Sequence, residues 1–432
     1  MKKVFFIFLL IFSLQPLSAT AAVMKSSKSI IELPYLKADE ISDVSLTPVS
    51  IVLTGTTESA SSTWISGPLG GLSDGFVANY SSLGAPLWNL RLGSAANEIA
   101  TSTAIDLDGS IWVVGAGTGI TNPTPLASQG KALNPDNVVL DPVQPASTPL
   151  NRIKLWQVNS TGNLLNTFEF ISENIIHPKK ILIAGANLII VGDSYEKSAV
   201  KGFFVSVTKT GVFSPIIKYG TKATQINSAL SNSDGSITAV GSSADLLLKV
   251  KPLSKVDAVT LKISASGVLQ QVARATLKST TRTWNSIAPG LLQGGKVSYS
   301  NKIEAAITKF SALSKPTWNV RYLSKSPALV AVNKNSWATL VSNGVIKGIP
   351  TWKPKSASPI ILELGQKYSV IPWKKMSLEM HNELSEFVAA VQGLEKQVDA
   401  PFKELLELLY VSNGSCTSTH AQITGKCCET MY

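Results

Sequence analysis

The stretch "DGFVANYSSLGAPLWNLRLGSAANEIATSTAIDLDGSIWVVG", residues 74–115, alternates apolar and polar side chains in four short runs separated by turn residues. Alternation of period two marks a strand that buries one face. Asp108-Gly109 stands between the last two runs, and such a dipeptide marks a hairpin because the turn needs a residue that tolerates φ > 0. The unit therefore predicts four short antiparallel strands.

Part of the unit returns far downstream. "SSLGAPLWNLRLG" (81–93) is answered by "SALSKPTWNVRYL" (311–323), with Pro86, Trp88, Asn89 and Arg91 matched by Pro316, Trp318, Asn319 and Arg321. Weaker copies lie between them, in "KLWQVNSTGNLLNTFEF", "FFVSVTKTGVFSPIIKYG" and "TLKISASGVLQQVARATL". Gly84 to Gly115 spans 31 residues, while Gly162 to Gly192 and Gly211 to Gly241 each span 30; in the last copy Ser314 and Gly344 stand at that separation. A shared internal ruler points to a repeated all-β unit.

The ends supply half units. "VSIVLTGTT" (49–57) matches "IWVVGAGTG", with Gly55 in the place of Gly115, and "SPIILELGQKYSVIPWKK" supplies the opposite half. Strands from both ends are expected to form one composite blade that closes a circular array and removes its sheet edges. Five full blades and one composite blade give a six-bladed β-propeller over residues 45–376. A seventh blade enters only if the Pro- and Asn-rich insert at 120–150 conceals one.

The first unit resembles the bacterial β-propeller repeat family (SBBP). Asp74, Phe76, Val77, Ala78, Gly84, Trp88, Gly93, Glu98, Ala100, Asp106, Gly109, Val113 and Gly115 match its repeat pattern; the other copies match weakly. The resemblance implies an exported propeller and transfers no catalytic residue.

Lys2, Lys3, the apolar run Val4–Leu14 and Ala19-Thr20-Ala21 have the layout of an export signal over residues 1–21. Residues 22–44 are expected to be a linker, and no later run is long enough for a membrane span. After 376 the apolar period changes from two to 3.6. Leu378, Leu384, Phe387, Val388, Val391 and Leu394 form one stripe, and Asp399 with Pro401 restarts a second helix, so 377–411 predicts an α-helical hairpin. It carries seven acids against Lys396 and Lys403. An acidic amphipathic hairpin beside a basic ring either folds back onto it or serves a dimer.

Net charge is +11, and +9 without Lys2 and Lys3. That balance favours an anionic polysaccharide or cell-envelope polymer, or an acidic protein. No Lys/Arg run of nucleic-acid type is present. The three cysteines lie in the tail 412–432, where Cys416 with Cys427 or Cys428 predicts a disulfide in an exported chain. His177 is expected in a strand connection, His381 on the acidic helix and His420 in the tail, and Gly-x-Ser-x-Gly is missing, so no catalytic residue, metal site or cofactor is expected. Trp88 and Trp318 are expected to fill wedges between blades. Asn89, Arg91, Asn319 and Arg321 are the candidate binding residues, as repeated polar contacts to an extended ligand. The expected role is a non-catalytic binding or scaffolding module, with the insert at 120–150 setting specificity. The alternative is a glycan-active hydrolase or lyase using carboxylates that converge in the axial funnel.

Overall fold

A computed structural model describes residues 39–371 of the 432-residue chain, apart from 48, 61–64, 82–84, 122–145, 276–278, 301, 313, 333–335, 345, 347–355 and 365–368. The signal segment 1–21, the helical hairpin 377–411 and the tail with Cys416, Cys427 and Cys428 lie outside the described residues.

Six antiparallel sheets of four strands follow one another along the chain, with no helix among the described residues. Sheet 1 is Asp39–Leu46, Ser50–Thr57, Asp74–Ser81 and Pro86–Leu92; sheet 2 is Glu98–Ile105, Ile111–Gly117, Arg152–Val158 and Leu164–Ile171. Sheet 3 is Ile175–Ala184, Asn187–Glu196, Ala199–Thr208 and Ile217–Tyr219; sheet 4 is Thr224–Ser231, Ile237–Ser243, Asp257–Ile263 and Leu269–Ala275. Sheet 5 is Thr281–Ala288, Leu292–Tyr299, Lys302–Phe310 and Pro316–Leu323; sheet 6 is Leu329–Val332, Ser336–Ser342, Ser358–Leu364 and Ser369–Ile371. Within each sheet the strands pair in chain order, and the first strand of every sheet touches the first strand of the next. Meander sheets set in series, inner strand beside inner strand, are the blade arrangement of a β-propeller.

The core is a series of layers between successive sheets. Val52 and Val77 of sheet 1 meet Val113, Trp156 and Val158 of sheet 2. On the other face of sheet 2, Trp112, Val114 and Leu155 meet Ile181, Ile190 and Phe203 of sheet 3. Strand alternation thus serves two layers at once, because neighbouring residues point to opposite faces. Trp88 packs in the layer between sheets 1 and 2, and Trp318 in that between sheets 5 and 6, as wedge fillers. The Trp88 ring lies against the turn of the next sheet, where a Cβ on Gly162 would come within 2.6 Å of it.

One glycine in the second strand of each of sheets 1 to 5 has the same cause. The first strands of sheets 1 to 5 each carry a bulge, at Ile41/Asp43, Ala100/Ser102, Pro178/Lys180, Ile226/Ser228 and Trp284/Ser286. The extra residue pushes a backbone carbonyl into the partner strand. A Cβ on Gly55, Gly115, Gly192, Gly241 or Gly295 would stand 1.8–2.1 Å from the carbonyl oxygen of Glu40, Ile99, His177, Gln225 or Thr283. No side chain fits there. Sheet 6 lacks both features: its second strand, "SWATLVS", contains no glycine, and Gly344 lies beyond it.

Four expectations are corrected. The repeat at 74–115 is not one sheet: its first two strands end sheet 1 and its last two begin sheet 2, because the link 93–97 passes between blades. Among the described residues no composite blade forms from the two ends. Ser50–Thr57 pairs with its own neighbours in sheet 1, and Ser358–Leu364 with its own in sheet 6. The first strand starts at Asp39, inside the expected linker 22–44; its short alternation, "DEISDVSL", is broken by the bulge and hides in the sequence. His177 lies within a first strand rather than in a connection.

The insert leaves through a two-stranded ribbon, Ile120–Thr121 with Ala146–Ser147. It sits inside a hairpin whose strands, Ile111–Gly117 and Arg152–Val158, pair directly, so it does not separate two sheets.

Antiparallel order gives the molecule two edges. Links between sheets and connections from second to third strands leave on one; these include the long segments 58–73, 118–151 and 244–256. The other edge carries tight turns such as 106–110, 159–163 and 264–268. There Gly109, Gly162 and Gly267 adopt φ of 81–88°, conformations open to glycine.

Candidate functional site

The bulges aim polar side chains from one first strand at the next, and these converge as a continuous seam. In sheet 1, Asp43 accepts hydrogen bonds from the Ser102 hydroxyl (2.7 Å) and the Thr103 N–H (2.9 Å) of sheet 2. Ser102 Oγ in turn accepts the Ile181 N–H of sheet 3 at 3.3 Å, and Lys180 Nζ of sheet 3 reaches back to 3.6 Å from Asp43 Oδ2.

The seam continues through Lys179, the extra residue of its bulge. Its Nζ lies 2.6 Å from Asp193 Oδ2 and donates to Asn227 Oδ1 of sheet 4 at 2.9 Å. Asp193 also accepts the Ile226 N–H (2.9 Å) and Gln225 Nε2 (3.4 Å). Asn227 Nδ2 donates to the Trp284 carbonyl of sheet 5 at 2.7 Å, and Ser286 Oγ accepts the Val330 N–H of sheet 6 at 3.0 Å. Hydrogen bonds therefore run from sheet 1 to sheet 6 across five sheet junctions.

All four charged members are buried. Burial pushes the Asp43 carboxyl up despite Lys180, Ser102 and the Thr103 and Val44 N–H groups, and it pushes the Lys180 ammonium down against Asp43. Removing charges from water outweighs their attraction in this pair. The chemistry of the seam is cohesion: each carboxylate is spent on a lysine and on a backbone N–H of the neighbouring sheet.

The four sequence-derived binding residues do not meet. Asn89 and Arg91 lie on the fourth strand of sheet 1, Asn319 and Arg321 on that of sheet 5. Asn89 Oδ1 accepts the Ser66 N–H at 2.5 Å, and buried Arg91 donates to the carbonyls of Gly67 (3.0 Å) and Ser59 (3.2 Å). Both thus hold the 58–73 loop. Asn319 accepts the Thr308 hydroxyl at 2.7 Å and Arg282 Nη2 at 3.3 Å, while exposed Arg321 stands 3.2 Å from Glu304.

A pattern missed in the sequence explains the arginines. Charged residues 17 positions apart are diagonal neighbours, two residues off direct register, on the third and fourth strands: Asp74 with Arg91, Arg152 with Glu169, Asp257 with Arg274, Glu304 with Arg321. In sheet 3 the two positions are Lys201 and Lys218, and Glu196 bridges both. The spacing is the hairpin register; the sign is free. The seam residues were missed too, although "HPKKIL" and "IIVGDS" place charges inside apolar strands, which is the signal for a buried ion pair. Among the described residues no cluster of three His, Cys, Asp or Glu could hold a metal ion.

No protein-family model matches the chain, and no curated protein is significantly similar to it. Among solved structures it is similar to the β-propeller domain of the Trilobed protease from Pyrococcus furiosus, described as having an open velcro topology. That match has 10% identity over 77% of this chain and 85% of the other, with a TM-score of 0.38. It is also similar to the NanB sialidase of Streptococcus pneumoniae (11%, 85% and 69%, TM-score 0.39) and to the Bombyx mori β-fructofuranosidase BmSUC1 (9%, 81% and 88%, TM-score 0.35). Similarities this remote transfer no activity; the architecture stands on the strand pairing.

Proposed function

We propose that the chain is an exported six-bladed β-propeller, closed between sheets 6 and 1, that binds an anionic polysaccharide or cell-envelope polymer without turning it over. On this reading it is a member of the bacterial β-propeller repeat family, residues 1–21 are its export signal, and Cys416 pairs with Cys427 or Cys428. One observation carries the non-catalytic reading: the axial carboxylates, Asp43 and Asp193, are consumed in holding sheets together. The basic balance of the chain and the exposed Lys197, Lys222, Lys249, Lys251 and Lys255 on the edge of long loops support an anionic ligand.

The test is binding of the mature chain to an array of charged and neutral glycans, read at low and high salt, with product analysis of every glycan bound. The expected result is retention of acidic glycans that weakens with salt and leaves them uncut. Release of new reducing ends would replace this reading with the glycan-active enzyme.

A further inference from the structure

The segment "ADLLLKVKPLSKV", residues 244–256, connects the second and third strands of sheet 4 and is unlike the rest of the loop edge. Leu246, Leu248, Val250 and Leu253 are 57%, 48%, 37% and 75% exposed. Lys249, Lys251 and Lys255 are exposed among them. The segment's one acid, Asp245, is turned inward, accepting the N–H groups of Thr221 (3.1 Å), Lys222 (3.1 Å) and Ala223 (2.9 Å) and the Thr224 hydroxyl (2.7 Å). What remains outside is apolar and cationic.

This exposure is built in. Leu247 is buried in the core, and the tip closes with reciprocal hydrogen bonds between Leu247 and Val250. Leu248 and Lys249 both sit at positive φ, 42° and 66°, a costly conformation for side chains of this kind. Arg274 clamps the carbonyls of Ser243, Asp245 and Val250, while Leu253 N–H and the Ser254 hydroxyl are held by Asp257 and the Thr280 carbonyl. Three leucines and a valine are thus displayed by a braced frame, and an exposed apolar patch edged by charge marks a contact surface.

The chain itself supplies a matching partner. The last strand of sheet 6, Ser369–Ile371, ends at this same edge. Residues 377–411 carry seven acids and two lysines along with the Leu378, Leu384, Phe387, Val388, Val391 and Leu394 stripe. Charge and apolar character both complement the loop, and covalent attachment gives the segment an effective concentration on the order of millimolar.

We propose that loop 244–256 is the docking seat of the chain's own acidic segment 377–411. An anionic ligand arriving at this edge then displaces a built-in acidic competitor; that consequence rests on the function proposed above, whereas the seat does not.

Zero-length carbodiimide cross-linking of the full mature chain, as a mixture of light and heavy isotope-labelled protein, tests the seat. Links from Lys249, Lys251 or Lys255 to Glu379, Glu383, Glu386, Glu395, Glu404 or Glu407 within one isotope are expected. Amide exchange gives the second readout. Glu379→Gln, Glu383→Gln and Glu386→Gln together lie outside the six sheets and should quicken exchange across 244–256 about tenfold, with exchange in the strands unchanged. Mixed light–heavy links at the proportion expected for random pairing would assign the loop to a second copy and overturn the proposal. So would unaltered exchange in the triple variant, including the case where vesicles of anionic phosphatidylglycerol protect the loop instead. Failure to bind any glycan would leave these readouts intact.

Discussion

The axis and the rim of this molecule solve the same problem, a repeated blade, under opposite constraints. At the rim the position of the charged pair is fixed and its chemistry is not: Asp74 with Arg91 becomes Arg152 with Glu169, then two lysines around Glu196. Hairpin register sets the spacing, and either sign order serves, in the buried pair Asp74 with Arg91 as in the part-exposed pair Arg152 with Glu169. At the axis the backbone geometry is fixed and the tolerance is gone. Five bulges recur, each with a glycine opposite and a carbonyl about 2 Å from where a side chain would begin.

The sharpest way to break this contrast is Gly115→Ala. Its Cβ would stand 1.8 Å from the Ile99 carbonyl oxygen, so the variant should lose about 3 kcal/mol or more, read by urea unfolding. Gly185→Ala is the control: it meets nothing within 4 Å, and the cost should stay near 1 kcal/mol, from its φ of 62° alone. Equal losses would mean that the bulge does not dictate the glycine.

Asp193→Ala ranks next. Removing one partner of the buried Asp193–Lys179 pair should cost about 3–5 kcal/mol. Adding Lys179→Met should recover most of it, since the stranded ammonium is the larger part of the damage. No recovery would show that the seam works through the backbone N–H groups on Asp193 rather than through charge.

Acid separates the axis from the loop edge by sign. Burial would raise the Asp245 carboxyl, but the Thr224 hydroxyl and the Ala223, Lys222 and Thr221 N–H groups hold it down at about 2. Its folded value lies below the ordinary 3.8, so it contributes stability above pH 3.8 that is lost as pH falls toward 2. Asp43, pushed up by burial, contributes stability below pH 3.8 that is lost as pH rises through its folded value. Asp245→Asn should therefore flatten the stability loss between pH 4 and about 2, while Asp43→Asn should leave that loss in place. Urea midpoints across this range decide it.

The smallest effect belongs to the rim. Arg321→Ala, breaking the partly exposed pair with Glu304, should change stability by less than about 1 kcal/mol. A loss matching that of Asp193→Ala would erase the distinction between the two regions.

Sequence alone carried the strands and the turns because both leave local marks. Alternation shows in "TLKI", and Gly162, Gly211 and Gly267 mark turns at φ of 81–88°. It misplaced the blade boundary because a link between blades, 93–97, is no longer than an ordinary loop. It missed Asp39–Leu46 because a bulge breaks the alternation, and it joined the two chain ends because a half unit at each looks the same whether or not they pair. At the site, repetition of Arg91 and Arg321 advertised duplication, and the structure shows rim pairs. Lys179, Lys180 and Asp193 went unseen because their partners lie in neighbouring sheets, contacts that no local pattern records.

Native-state hydrogen exchange of individual amides tests most directly whether the axial seam binds the sheets into one body. The N–H groups of Thr103, Ile181, Ile226 and Val330, all donated to a side chain of the neighbouring sheet, should exchange only through global unfolding, far more slowly than the fourth strands. Exchange of these four amides at the rate of the fourth strands would contradict the account, since the sheets would then separate without the molecule unfolding.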